Sequence, residues 1–480
     1  MAEDYKKLGL KCGLEIHQQL DSHKLFCNCP SVLRKDEPDF EVKRKLHVVA
    51  GESGEVDVAA QHEAEQDREF VYQGYDSVCL VELDEEPPHQ INQEALKIAL
   101  QISLLLNCKI ISLTQIMRKT VVDGSNTSGF QRTVMIARHG FVETSFGKVG
   151  IEGVFLEEDA ARIVYKEKDI SVFRLDRLGI PLIEIATAPD IKTPEQAKEV
   201  ALHIGNILRS CKVKRGIGTI RQDINISIKG SNRVELKGFQ DPKIMIDVVE
   251  KEMKRQKKFL ETGKKNPSEV RNVLLDASTE FLRPMPGEAR MYPETDLPLL
   301  KISRNMIDDA KKNLPKLRSE VENELKQKGL TDEMVSMLFK QNKLEEFKEL
   351  SEVIKNPLLV GKVLLMFPKE LASKTKKPIF EINEILNKEI LANVLEVFKK
   401  KKIKENQIKD VLNKIVHGDG FKEAIKFEKK DLNAVEEKII KLIKEKPGLS
   451  EKAYMGLVMK EFKGQVDGRE VSEIIKRLIK

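Results

Sequence analysis

The chain has no tryptophan, and aromatic residues make up only 5% of its 480 positions. Large stacking platforms for single-stranded nucleic acid are therefore not expected, and any nucleic acid would be gripped mainly through phosphate and shape. No stretch approaches the roughly 20 apolar residues that cross a membrane, and the opening MAEDYKKLG has no apolar signal core. A cytoplasmic location is expected. Six cysteines (Cys12, Cys27, Cys29, Cys79, Cys108 and Cys211) in so long a chain argue against a disulfide framework, leaving metal binding or plain burial. No Walker A or dinucleotide fingerprint is present, no internal repeat, and no Ser-His-Asp order or serine-rich amidase signature that would mark an intrinsic glutaminase.

What is present is length, charge and alternation. A chain of 480 residues can hold two to four domains with sizeable cores. Its net charge of +6 is uneven: residues 301–480 carry 40 Lys and Arg against 30 Asp and Glu, while the remainder carries 43 against 47. A basic C-terminal region attracts a polyanion such as tRNA by counter-ion release, although solvated lysine-rich helices would have the same composition.

Up to about residue 300 the chain shows short alternating runs (LKCGLEIHQQL, IPLIEIAT, GTIRQDINISIKG) with occasional helices such as TPEQAKEVALHIGNILRS, for which Thr193 is the expected N-cap. From Ile302 the spacing turns helical. This predicts an α+β architecture: a first domain over 1–301, a helical domain over 302–405 with KKKKIKE (399–405) as a surface boundary, and a basic tail domain over 406–480. Its final part, residues 449–480, reads as two helices broken at Gly464, with Asp467 and Glu470 at capping-box spacing.

In KCGLEIHQQL, alternation puts Glu15 and His17 on one face of a strand. GVFLEEDAARIV places Glu157, Glu158 and Asp159 where a strand should end, and GIPLIEIATAPD buries Glu184 in an apolar run. A carboxylate there is costly unless something compensates it. Several carboxylates and one histidine at strand positions suit a divalent cation held through oxygen, Mg²⁺ for phosphoryl transfer in particular. Competing with this are simple ion pairs, with Arg162, Arg174 and Arg177 as candidate partners. RQDINISI sets Arg221, Asp223, Asn225 and Ser227 along one strand face, fit to line a nucleotide pocket or an exposed surface alike. DGSNTSGFQRT (123–133) could cradle a phosphate, as a weak signal, and RPMPGEARMYPETDLP (283–298) is dense in Arg, Glu and Pro. Cys27, Cys29 and Cys79 are one ligand short of a closed zinc site; Glu82 could add an oxygen, but buried free thiols are the expectation.

GLEIHQQL, LEEDAAR, RLGIPLIEIATAPDIKTPEQA, RQDINISI, RVELKG, MYPETDLP and the terminal GLVMKEFKGQVDGREVSEIIK occur in order from about residue 8 to 478. Together they resemble the B/E-subunit family of tRNA-dependent amidotransferases, with details such as IHQQL and DGSNTSGFQRT of the archaeal E type. The resemblance implies a mixed α/β cradle around an antiparallel or mixed sheet, then a helical domain and a small tail domain of the YqeY kind touching the tRNA. It implies that ATP and Mg²⁺ phosphorylate the side-chain carboxylate of glutamate on tRNA(Gln), and that ammonia from an asparaginase-like D-type partner, in a heterodimer or heterotetramer, displaces the phosphate. Carried over by position, the Mg²⁺ ligands and catalytic residues fall on His17, Glu158 and Glu184, with Glu15 beside them. Arg221, Asp223 and Lys237 fall in the same cradle, for ATP or glutamyl handling. A B-type subunit with an amidase-type partner, acting on Asp-tRNA(Asn) as well, and a non-catalytic tRNA-binding scaffold are the alternatives. Two departures stand out. Only residues 262–281 lie where the E type carries an inserted domain, and CLVE replaces the second cysteine pair of some B-type relatives, so zinc is not expected.

Overall fold

The structure, a computed structural model, describes residues 5–47, 54, 56, 60–61, 64–65, 67–167, 169–238, 244–287, 290–426, 432–461 and 468–479. It divides into two compact units, Met1–Arg318 and Ser319–Lys480. The whole is α+β, with sheets confined to the first unit among the described residues.

An eleven-stranded mixed sheet forms the first unit's frame. Its order is Thr279–Pro284, Glu269–Val273, Val234–Lys237, Ile220–Ser227, Lys11–Gln19, Pro181–Thr187, Gly147–Glu158, Phe130–Thr144, Met117–Thr120 and Met291–Pro293, with Lys109–Ile110 pairing beside Phe130–Thr144. Because side chains alternate along a strand, each central strand has one apolar face. Cys12, Leu14 and Ile16, Ile183 and Ile185, and Ile224 and Ile226 are all buried on it. Helices Gln93–Leu105, Pro194–Ser210 and Met245–Glu261 contribute to the same core. In Pro194–Ser210 the residues Ala197, Val200, Ala201, Ile204 and Leu208 recur at helical spacing, which makes one continuous apolar stripe. Each large aliphatic side chain buried there contributes about 1.5–3 kcal/mol. Thr193 caps this helix as expected: its hydroxyl accepts from the Gln196 N–H, and the Gln196 side chain returns a bond to the Thr193 N–H.

A four-stranded sheet, Phe40–Arg44, Glu69–Gly74, Ile170–Arg174 and Arg162–Lys166, packs its own core of Phe70, Tyr72, Phe173 and Leu175. Between Glu261 and Arg283, where an inserted domain would lie, the chain closes into the antiparallel pair Glu269–Val273 and Thr279–Pro284. The helix Arg304–Lys312, capped by Ser303, packs on Gln93–Leu105 and buries Ala310 in the first unit's core, so the helical region begins inside that unit.

The second unit holds two separate cores. One runs from Leu325 to Ala424 and includes Leu391, Val394, Ile408 and Val411. Residues 399–405, read from sequence as a boundary, connect helices Lys388–Lys399 and Glu405–Val416, which share this core. The other is built by Leu432–Glu445, Glu451–Glu461 and Gly468–Ile479 around Val435, Ile439, Tyr454, Val458, Val471 and Ile475. The expected break at Gly464 and the capping residue Asp467 lie outside the described residues. Among the described residues no helix is long and apolar enough to cross a membrane.

Candidate functional site

The polar face of the large sheet, opposite its helix-covered core, floors a cavity of about 560 Å³. Register decides what meets there. His17 lies between Arg221 on one neighbouring strand and Glu184 on the other, while Glu15 lies opposite Asp223. Two triads result, His17–Glu157–Glu184 and Glu15–Asp223–Glu235, and the three ligand atoms of each lie within 4.8 Å of one another.

The His17 Nε2 is 3.2 Å from Glu184 Oε2 and 3.7 Å from Glu157 Oε1. Burial alone would lower the imidazole pKa, but Glu184, Glu157 and Asp223 outweigh it and the pKa is raised. Glu184 shows the converse: burial would raise its carboxyl pKa, yet Lys119 and His17 hold it well below the usual range. Burial, reinforced by Glu235 and Glu184, pushes Glu15 up, and its Oε1 accepts from the Asn225 amide at 2.8 Å.

A lysine bridges two acids of each triad. Lys119 Nζ donates to Glu157 Oε2 at 2.7 Å and lies 3.6 Å from Glu184 Oε2. Lys237 Nζ is 2.7 Å from Asp223 Oδ2 and 2.5 Å from Glu235 Oε1. Both ammonium groups have raised pKa values, because the paired carboxylates outweigh the effect of burial. Deeper in the wall, Asp159 accepts from Arg221 at 2.7 Å and from the Gln19 amide at 2.6 Å, which fixes the guanidinium over the floor. The cavity's acids are Glu15, Glu157, Asp159, Glu184, Asp223 and Glu235. Its bases, His17 apart, are Lys119, Arg221, Arg233, Lys237, Arg283 and Arg290, equal in number to the acids.

His17, Glu184, Glu15, Arg221, Asp223 and Lys237 thus come together as expected from sequence, but Glu158 does not join them. Along Gly147–Glu158 the buried Val154 and Leu156 share a face with Glu158, and Glu157 points the other way, opposite Leu182 of the next strand. Glu158 instead accepts from the Arg132 backbone N–H at 3.1 Å and faces its guanidinium at 3.4 Å. Burial raises its pKa and Arg132 opposes the rise. Arg132 Nε continues to Glu294 Oε2 at 2.7 Å, and Glu294 Oε1 pairs with Arg118 at 2.5 Å, so Glu158 belongs to a buried structural network. The residue facing His17 and Glu184 is Glu157.

Lys119 and Glu235 were not singled out from the sequence, whereas Asp159 was named there with Glu157 and Glu158 as one of the acids closing the strand. For Glu235 a signal existed: in RVELKG it alternates onto the same face as Lys237. Arg283, Met285, Pro286, Gly287, Arg290 and Met291, from the Arg- and Pro-dense segment, line the cavity. The loop DGSNTSG does not. Its Gly124 carbonyl accepts from the Tyr72 hydroxyl at 2.9 Å and its Thr127 hydroxyl donates to the Glu82 carbonyl at 2.6 Å. Of the expected arginine partners, Arg162 pairs with Asp176 and Arg177 approaches Asp159 at 3.9 Å.

A third group lies apart from this cavity. Cys27, Cys29, Cys79 and Glu82 also converge within 4.8 Å, so Glu82 is the fourth group beside the three thiols. Its carboxylate accepts from the Cys27 thiol at 3.1 Å and the Cys79 thiol at 3.0 Å, and pairs with the fully buried Lys24 at 2.7 Å. Three thiols and one carboxylate form a donor set of the kind zinc takes.

A mixed sheet with helices on one face and an open cavity lined by acids and bases on the other defines an α+β cradle protein built to handle charged groups. The sequence profile of the GatB/GatE catalytic domain matches residues 10–308. The chain is 36% identical to the E-type glutamyl-tRNA(Gln) amidotransferase chain of Methanocaldococcus jannaschii, over the whole length of both. It is 34% identical to the E-type chain of Archaeoglobus fulgidus over 99% of each, and 36% identical to that of Methanothermobacter thermautotrophicus over 77% of this chain and 81% of the relative. The chain belongs to the GatB/GatE family. Its alignment with the Methanocaldococcus protein spans 636 residues where this chain has 480, so that relative carries inserted residues with no counterpart here.

Proposed function

We propose that the chain is the E-type component of a tRNA-dependent amidotransferase, and that its cavity activates the side chain of glutamate on tRNA(Gln) with ATP and passes it to ammonia, giving glutaminyl-tRNA(Gln) for translation. The observation that carries this reading is the placing of two triads, one of a histidine with two carboxylates and one of three carboxylates, on one sheet face ringed by arginines. A carboxylate oxygen is a poor leaving group. Its attack on the terminal phosphorus of ATP gives an acyl phosphate and ADP, and neutral ammonia then displaces inorganic phosphate to leave the amide.

His17, Glu157 and Glu184 would hold one divalent ion, and Glu15, Asp223 and Glu235 a second. Mg²⁺ bound there neutralises phosphate charge. The chain's own groups do the rest. Arg221, fixed by Asp159, and Arg283 and Arg290 supply cationic contacts for phosphate oxygens. Asn225 holds the Glu15 carboxylate in place.

Ammonia would come from an asparaginase-like D-type partner. The excess of 40 basic over 30 acidic residues in 301–480 favours contact with the tRNA backbone. A non-catalytic scaffold would have no use for triads whose buried acids are costly to maintain. The test is the coupled assay: the chain, co-purified with its D-type partner, converts Glu-tRNA(Gln) to Gln-tRNA(Gln) only with ATP and Mg²⁺. No amidation, together with no ATP turnover stimulated by that tRNA, refutes the proposal. Co-purification with an amidase-type partner instead would make it a B-type chain.

A further inference from the structure

The lysine beside each triad contacts two of the three groups that would hold a cation. Lys119 is shared between Glu157 and Glu184, two members of the first triad, at 2.7 and 3.6 Å. Lys237 is shared between Asp223 and Glu235, two members of the second, at 2.7 and 2.5 Å. A divalent ion bound through those same oxygens would be repelled by an ammonium still attached to them. A lysine, unlike an arginine, presents its charge as a point on a flexible four-carbon stem and can change partners without losing its proton.

His17 apart, the cavity's lining has six acids and six bases. Two divalent cations and a tetra-anionic triphosphate cancel. Loading therefore adds no net charge, so both lysines can stay charged, and the phosphates offer them new partners once the ions take the carboxylates. Resting on the reading of this cavity as a cation and nucleotide site, we propose that Lys119 and Lys237 are built-in counter-ions: each holds its triad together in the cation-free state, is displaced by the entering divalent ion, and then contacts the nucleotide phosphates.

The test uses Mn²⁺ as the probe on the full chain, without tRNA, with free ion read by electron paramagnetic resonance. Lys119→Met and Lys237→Met keep the side chain's length and remove its charge. Each should bind Mn²⁺ about tenfold more tightly than the parent when no nucleotide is present, and a non-hydrolysable ATP analogue with Mn²⁺ about tenfold more weakly. A merely structural role would weaken both. Mn²⁺ affinity unchanged or lowered in a variant overturns the inference for that lysine. If a variant is too unstable to titrate, its melting temperature serves: Mn²⁺ should raise it by more than it raises the parent's, and an equal or smaller rise overturns the inference. A parent that binds no Mn²⁺ sinks the cation reading as well, whereas a parent that binds it while both variants show no gain sinks the inference alone.

Discussion

Glutamine substitutions at Glu157 and Glu158 separate two adjacent acids that face opposite ways. Glu157 has a side chain only 2% exposed and lies 2.7 Å from Lys119. At an effective dielectric constant of about 20 the gross attraction of such a pair is roughly 6 kcal/mol. Glu157→Gln leaves Lys119 with Glu184 alone at 3.6 Å and takes one oxygen ligand from the first triad. Breaking one partner of a buried pair typically costs about 3–5 kcal/mol locally. On the proposed function, loss of that ligand should lower cation-supported ATP turnover by about a hundredfold or more. Glu158→Gln keeps an acceptor for the Arg132 N–H, and Arg132 retains Glu294 at 2.7 Å. It should cost about 1–3 kcal/mol of stability, a drop of a few degrees in melting temperature, with turnover per folded molecule within a few-fold of the parent. The assay is tRNA-stimulated ATP hydrolysis titrated with Mn²⁺, alongside thermal melts. If Glu158→Gln loses the cation dependence while Glu157→Gln keeps it, the facing of these two acids is wrong.

Burial would raise the pKa of Glu294, but Arg118 and Arg132 overcome it and hold the carboxyl low, so its stabilising effect is present above the ordinary value of 4.5 and is lost as pH falls through the depressed one. Glu294→Gln should therefore flatten the acid limb of the stability profile below pH 4.5 in chemical denaturation; an unchanged limb would count against the network. Cys29, whose thiol is drawn down to about 7 chiefly by its neighbour Cys27, should be alkylated by iodoacetamide ahead of Cys12, Cys108 and Cys211, which burial pushes up to about 12. Its rate should climb through pH 7, and peptide mapping that finds another thiol labelled first would contradict this. Thr193→Ala removes the cap of Pro194–Ser210 and should lower stability by about 1 kcal/mol, while Thr193→Ser should restore most of it.

Family membership, the α+β class and much of the site were legible in the chain itself, because the signals that carry them are local. Alternation within one strand put Glu15 with His17, and Arg221 with Asp223, before any partner strand was known. The same alternation required Glu157 and Glu158 to face opposite ways, but no local rule says which one looks into the cavity. The pairing of Leu182 with Glu157 decides it, and that depends on a strand more than twenty residues away. Lys119 was invisible for the same reason: nothing in MRKT marks it, and only the neighbouring strands bring its ammonium to Glu157 and Glu184. Glu82 reaches Cys27 across 55 residues of chain. Side-chain direction along a strand is set by covalent geometry and can be read from sequence, whereas the identity of the charge across the gap depends on how distant strands fall into register, which only the tertiary structure decided.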